Sequence, residues 1–160
     1  GGSAAFVFPF TEPTEVTGHF VLELVVEVRG APDMAVFAAV RKLDKNRVFV
    51  PFRGSVGMTE DAVTRGYLLA SYRELDSRQT IAHLPALSYR KLPVTPGTKM
   101  QLSIPMEPSS TFFEAGEAIE LVLSSKEVVP TGPYVKSLCG NTGTHVVHLG
   151  DSCLVMPRIA

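Results

Sequence analysis

Residues 96–125, PGTKMQLSIPMEPSSTFFEAGEAIELVLSS, hold the pattern that decides the fold. Pro96-Gly97 is turn chemistry, because proline presets φ at one corner and glycine accepts the positive φ of the next. Met100, Leu102 and Ile104 then alternate with Lys99, Gln101 and Ser103, the period-2 signature of a strand with one dry and one wet face. Pro105 is expected to stop that strand, leaving Phe112 and Phe113 as apolar area in a connection. Ala115-Gly116-Glu117 reads as a second turn, and Ile119, Leu121 and Leu123 alternate with Glu120, Val122 and Ser124 as a second strand.

Working outward, 160 residues suffice for one domain that buries roughly 70% of its unfolded surface without metal or disulfides. The 15 basic and 16 acidic residues form no cluster of either sign. That argues against nucleic acid or an anionic membrane as partner. Apolar runs are strand-length and broken by charges such as Glu23 and Glu27, so no segment reads as a membrane span. Gly1 to Ala5 lacks the basic-then-apolar order of a secretory signal and reads as a linker or cloning scar. Two cysteines, Cys139 and Cys153, do not make a disulfide framework. A cytoplasmic setting with reduced thiols is the expectation.

Upstream, residues 12–18 read as a polar lead-in. His19 to Arg29 is the longest apolar alternation, with Phe20, Leu22, Leu24, Val26 and Val28 on one face. Met34 to Leu43 is ambiguous by composition and is assigned to a strand on its neighbouring turns and on Val36, Phe37 and Val40. Arg47 to Phe52 reads as an edge strand because Pro51 lacks a ladder donor. Residues 54–65 read as loop with a helical turn near 59–62, Gly66 to Glu74 as a strand, 75–85 as a long connection and Ala86 to Leu92 as a further strand. Beyond the opening stretch, 128–143 reads as a second long loop. Thr144 to Leu149 and Ser152 to Met156 read as final strands joined at Gly150-Asp151. Eight to ten short strands with no amphipathic helix predict a single all-β sandwich. The long connections suit a jelly roll or Greek key.

Candidate chemistry is sparse. Cys139, His145, His148 and Cys153 have the residue types of a zinc site, yet two histidines three apart on a strand point to opposite faces, and no CxxC anchors a chelate. Ser152, Asp151 and His148 have the types of a hydrolase triad, but Gly150-Asp151-Ser152-Cys153-Leu154 ends in leucine and leads into a strand, not into the helix of a nucleophile elbow. The acids Asp33, Asp44, Glu60, Asp61, Glu74 and Asp76 form no calcium loop. With tryptophan absent, Tyr67, Tyr72, Tyr89 and Tyr134 are the residues open to sugar stacking. No cofactor, metal or catalytic residue is assigned. Homo-oligomerisation through strands 19–29 and 47–52 at exposed sheet edges is a further expectation.

Several strings recur in order: Glu15 to Phe20 (EVTGHF), Ala31 to Phe37 (APDMAVF), Gly66 to Asp76 (GYLLASYRELD), Pro96-Gly97, Phe113 to Glu117 (FEAGE), Asn141 to His145 (NTGTH) and Ser152 to Pro157 (SCLVMP). This series resembles the C-terminal domain of X-Pro dipeptidyl-peptidases and cocaine-esterase-like (CocE/NonD) serine hydrolases from about Glu15 to Ile159. The resemblance implies a jelly-roll, galactose-binding-like β-sandwich placed behind an α/β-hydrolase domain that carries the whole triad. No family catalytic residue maps onto this chain, and Tyr72 stands where many relatives have histidine. Residues 1–14 are then linker and lead-in, and 15–160 the sandwich. The expected function is a non-catalytic domain that packs on the hydrolase domain and helps shape its substrate cleft, the alternative being a free-standing carbohydrate-binding module. Asp33, Tyr72, Arg73, Asn141, His145 and His148 are the candidates for interface or ligand contacts.

Overall fold

A computed structural model describes residues 2–54, 60–81, 83–129 and 140–159. Among these described residues, nine strands form two antiparallel sheets. The first sheet contains β1 (Ser3–Pro9), β7 (Ala118–Ser124), β3 (Ala35–Leu43) and β4 (Phe49–Val50) in that order, with β5 (Thr64–Leu69) also paired to β3. The second contains β6 (Met100–Phe113), β2 (Thr14–Arg29) and β8 (Thr144–Val147), with β9 (Cys153–Val155) continuing along the same side of β2. The described residues hold an all-β sandwich whose helical content is two 3₁₀ turns, Ala70–Tyr72 and Leu149–Asp151.

The alternation in β2 explains the core. Phe20, Leu22, Val26 and Val28 have no exposed surface and Leu24 almost none. They meet Leu102 and Ile104 from β6 and Val36, Ala38, Val40, Ile119 and Leu123 from the opposing sheet. Each of these side chains larger than alanine contributes on the order of 1.5–3 kcal/mol by leaving water. At one border the sheets nearly touch: a Cβ on Gly66 of β5 would lie 3.0 Å from the Pro105 carbonyl and 3.1 Å from Met106 Cγ. Thr64 Oγ1 donates to the Glu107 carbonyl at 2.5 Å across the same border.

Several expectations are corrected. Residues 3–9, read as linker, form β1, which pairs with β7 from Ser3↔Ser124 to Pro9↔Ala118. Its short, uncharged run carries no polar alternation, so only its partner identifies it. The polar lead-in at 14–18 is the start of β2, with Thr14 paired to Phe113. Pro105 does not end β6. In the pairing of His19 with Pro108 and Val21 with Pro105, Phe20 of β2 faces Met106 and Glu107, a two-against-one bulge. Because β6 borders its sheet, a proline there removes no necessary ladder donor. Phe113 therefore lies in a strand, fully buried, with Phe10 at 4.7 Å between ring centroids.

Strand 66–74 ends at Leu69, where the chain enters the 3₁₀ turn. No strand spans 86–92, which holds a single bridge, Leu75↔Leu87. At 60–62 there is no helical turn. Asp61 instead bridges Phe52, and Thr59 falls outside the described residues. The return strand at 47–52 reduces to Phe49–Val50. β2, expected at an edge, lies between β6 and β8/β9, whereas β4 does end its sheet. β8 and β9 do not form a hairpin. Both run antiparallel to β2, at Val26–Arg29 and Val21–Glu23, end to end.

Candidate functional site

Asn141 and Asp33 act as backbone substitutes. Asn141 Oδ1 accepts from the Ala35 N–H at 2.8 Å, and its Nδ2 donates to the carbonyls of Ala35 at 2.8 Å and Ser125 at 2.7 Å. Ala35 is the first residue of β3, so the amide extends the ladder where no strand is available. Asp33 Oδ1 accepts from the N–H groups of Met34 at 2.8 Å and Ser71 at 3.1 Å, tying the turn before β3 to the 3₁₀ turn after β5. Arg73 donates to the carbonyls of Ala70 and Pro93, each at 3.0 Å, and Tyr72 packs on the rim of the core. The polar atoms of Asp33, Arg73 and Asn141 serve the fold.

The two histidines separate as strand geometry requires. His145 pairs with Val28, a core-facing residue, and lines a cleft of about 670 Å³ at the open side of the sandwich. Phe6, Met34, Val36, Leu123, Val147 and Leu149 give that cleft mostly apolar walls. His145 Nε2 donates to the Thr142 carbonyl at 3.2 Å. His148 lies on the other face, its buried Nε2 3.4 Å from Glu27 Oε2 and without a hydrogen-bond partner among the described residues. Glu27 itself is 6% exposed and bonds Arg29 Nε at 2.5 Å. The Arg29 hydrogen bond, against the opposing effect of burial, holds the Glu27 carboxyl below its usual range, with His148 adding to the depression. Sequence alternation placed Glu27 on the face of β2 opposite Phe20, Leu22 and Leu24, and its contact with His148 became visible only with β8 in position. The Glu27-x-Arg29 spacing, which puts both on one strand face, was the available signal.

The triad-like residues do not converge on a nucleophile. Ser152 Oγ accepts from the Val25 N–H at 3.0 Å and donates to the His148 carbonyl at 2.8 Å, while the Val25 carbonyl accepts from His148 N–H at 2.8 Å. The hydroxyl thus fills the gap in the ladder between β8 and β9. Asp151, largely exposed, faces Lys99 at 3.8 Å. Among the described residues no group of three or more His, Cys, Asp or Glu side chains is placed to hold a metal. Cys153 is an exposed free thiol, and Cys139 lies outside the described residues. Tyr67 of β5 is exposed and stacked against Phe37 at 6.0 Å, Tyr89 is exposed in the connection before β6, and Tyr134 is outside the described residues. No helix among the described residues is long and apolar enough to cross a membrane.

In this β-sandwich Asp33, Arg73, Asn141 and Ser152 spend polar groups on hydrogen bonds to the backbone. The chain belongs to the X-Pro dipeptidyl-peptidase C-terminal non-catalytic domain family, matched over residues 1–153. Among solved structures it is similar to a CocE/NonD family hydrolase from Staphylococcus aureus, with 27% identity and a TM-score of 0.90 over 99% of this chain and 30% of that one. It shares the fold of an α-amino acid ester hydrolase (17% identity, TM-score 0.66, 98% of this chain and 25% of that one). It also shares the fold of an aminopeptidase from a marine sediment Thaumarchaeota archaeon (16%, 0.63, 99% and 26%). No curated protein matches the chain. The chain thus spans under a third of the length of these solved relatives.

Proposed function

We propose that this chain is the non-catalytic β-sandwich domain of a serine hydrolase of the X-Pro dipeptidyl-peptidase or CocE type, that it packs on an α/β-hydrolase domain of the same parent chain, and that it helps wall the substrate cleft there. A jelly-roll, galactose-binding-like architecture is part of this reading. Its main support is the match to a C-terminal non-catalytic domain family over 1–153. Consistent with it, the serine of the triad-like string is held as a backbone hydrogen-bonding group. The substrate-selecting pocket is then formed mainly by the partner domain, and this domain contributes shape rather than reacting atoms.

The test is an antibody to this domain, used on lysate of the source organism treated with a fluorophosphonate probe for active serine hydrolases. A labelled band several hundred residues long supports the assignment. An unlabelled band near 160 residues overturns it and directs attention to a free-standing module, with carbohydrate as the first ligand class to screen.

A further inference from the structure

Residues 73–99 connect the 3₁₀ turn to β6, and the described residues among them form no strand. That exceeds the about 12–15 residues beyond which unstructured connections are uncommon and usually functional. The segment is nevertheless well organised. Asp76 N–H donates to the Ala86 carbonyl at 2.8 Å and Ser88 N–H to the Glu74 carbonyl at 2.9 Å, flanking the Leu75↔Leu87 bridge. These bonds make 74–76 and 86–88 the two sides of an irregular hairpin. Its tip is closed by Thr80 N–H to the Asp76 carbonyl at 2.9 Å and Leu84 N–H to the Ile81 carbonyl at 3.0 Å.

Acidic side chains stitch it further. Glu74 accepts from Ser88 Oγ at 2.6 Å and from Arg90, and Asp76 accepts from the Arg78 N–H at 3.0 Å. The base is anchored by Leu92 N–H to the Ser71 carbonyl at 2.7 Å and by Leu87 and Val94, which pack on the core. The result is a pre-formed arm rather than a slack loop.

The arm shows solvent a mixed surface, in which three apolar side chains stand among the exposed Ser77, Arg78, Gln79, His83 and Arg90. Ile81 is 65% exposed, Tyr89 79% and Leu75 38%. Tyr89 and His83 also hold left-handed backbone, φ 59° and 71°, which a non-glycine residue adopts at a cost. The Tyr89 ring takes little of this domain's packing in return. Rigid aromatic and aliphatic anchors on a pre-organised support are what a partner's pocket receives with little ordering cost.

The occupant is indicated by the chain outside this domain. The family is that of a C-terminal non-catalytic domain, and this chain accounts for 30% of the Staphylococcus aureus hydrolase it resembles. We propose that the 74–90 arm is the element by which this domain docks on the catalytic domain of its parent chain, with Tyr89 and Ile81 as the anchors that become buried. The inference rests on the proposed function and adds the surface to it.

Hydroxyl-radical footprinting of the 160-residue chain and of the full parent chain tests it. Tyr89 and Ile81 are expected to be modified several-fold more slowly in the parent. In parallel, the double variant Ile81→Ala/Tyr89→Ala is expected to leave the unfolding midpoint of the 160-residue chain unchanged and to lower that of the parent. If the parent reacts with the fluorophosphonate probe but Tyr89 and Ile81 are modified equally in both chains, the docking surface is wrong and the domain assignment stands. Protection in a parent that does not react with the probe supports the arm and removes the hydrolase reading. Protection that develops in the 160-residue chain alone as its concentration rises identifies a second copy as occupant and overturns the proposal.

Discussion

Gly143 has the tightest backbone surroundings among the described glycines. It has φ +74°, and a Cβ there would sit 2.3 Å from the Arg29 carbonyl and 3.1 Å from the Ala31 nitrogen. Both atoms are backbone and cannot rotate away. Gly143→Ala is expected to lower stability by about 3 kcal/mol, the upper part of the range for forced backbone strain, measurable as a shift of the urea midpoint at unchanged slope. A midpoint equal to wild type would mean that this loop does not press on β2. Ser152 makes a complementary case: Ser152→Ala leaves the Val25 N–H without its acceptor and is expected to cost about 1–2 kcal/mol. If Ser152 were a nucleophile, the same change would abolish a hydrolytic activity; here the effect should be read in the urea midpoint alone. The motif strings that revealed the family held Asp33 and Asn141, but their work as backbone substitutes was hidden. Hydrogen bonds such as Asn141 to Ala35 join residues 106 apart, and only the folded chain brings them together.

At the scale of elements, the seam between β2 and β8 carries a pH-dependent contribution. Glu27 is lowered from its ordinary value of 4.5, first through its hydrogen bond from Arg29. A carboxyl depressed in the fold contributes stability that is present above its unfolded pKa and lost as pH falls through the folded one. Glu27→Gln should therefore flatten the loss of stability between about pH 6 and about pH 3, as read from urea midpoints across that range. An unchanged acid limb would show that the Arg29 contact contributes nothing to folding. Glu74 is depressed in the same direction, by hydrogen bonds from Arg90 and Ser88, so part of the acid limb remains in the variant. The elements also show where reading by pattern fails. Alternation located the 19–29 part of β2, the first half of β6, and β7, because each has a face in the core, whereas β3 is assigned from its neighbouring turns and from Val36, Phe37 and Val40. Pro105 stops a strand only if its missing donor is needed, which depends on whether that strand lies at an edge. Strand 66–74 was cut short because Ala70–Tyr72 turns to bring Ser71 to Asp33.

For the whole molecule, the isolated domain is expected to remain unlabelled by a fluorophosphonate at concentrations that saturate a serine hydrolase. Labelling that Ser152→Ala removes would overturn the non-catalytic reading. Architecture and family were legible from the chain alone, for a physical reason: strands with one buried face repeat every two residues, and turns need glycine and proline at particular corners. Those are local constraints, written in adjacent residues. β1 was not legible, since an uncharged run of seven residues becomes a strand only through its pairing with β7. Nor were the Glu27–Arg29–His148 contacts, the role of Ser152 between β8 and β9, or the arm at 74–90. Each depends on which distant backbone groups are left without partners once the two sheets close. That question is settled by tertiary packing, because hydrogen-bond satisfaction and burial belong to the assembled sandwich and not to any one stretch of sequence.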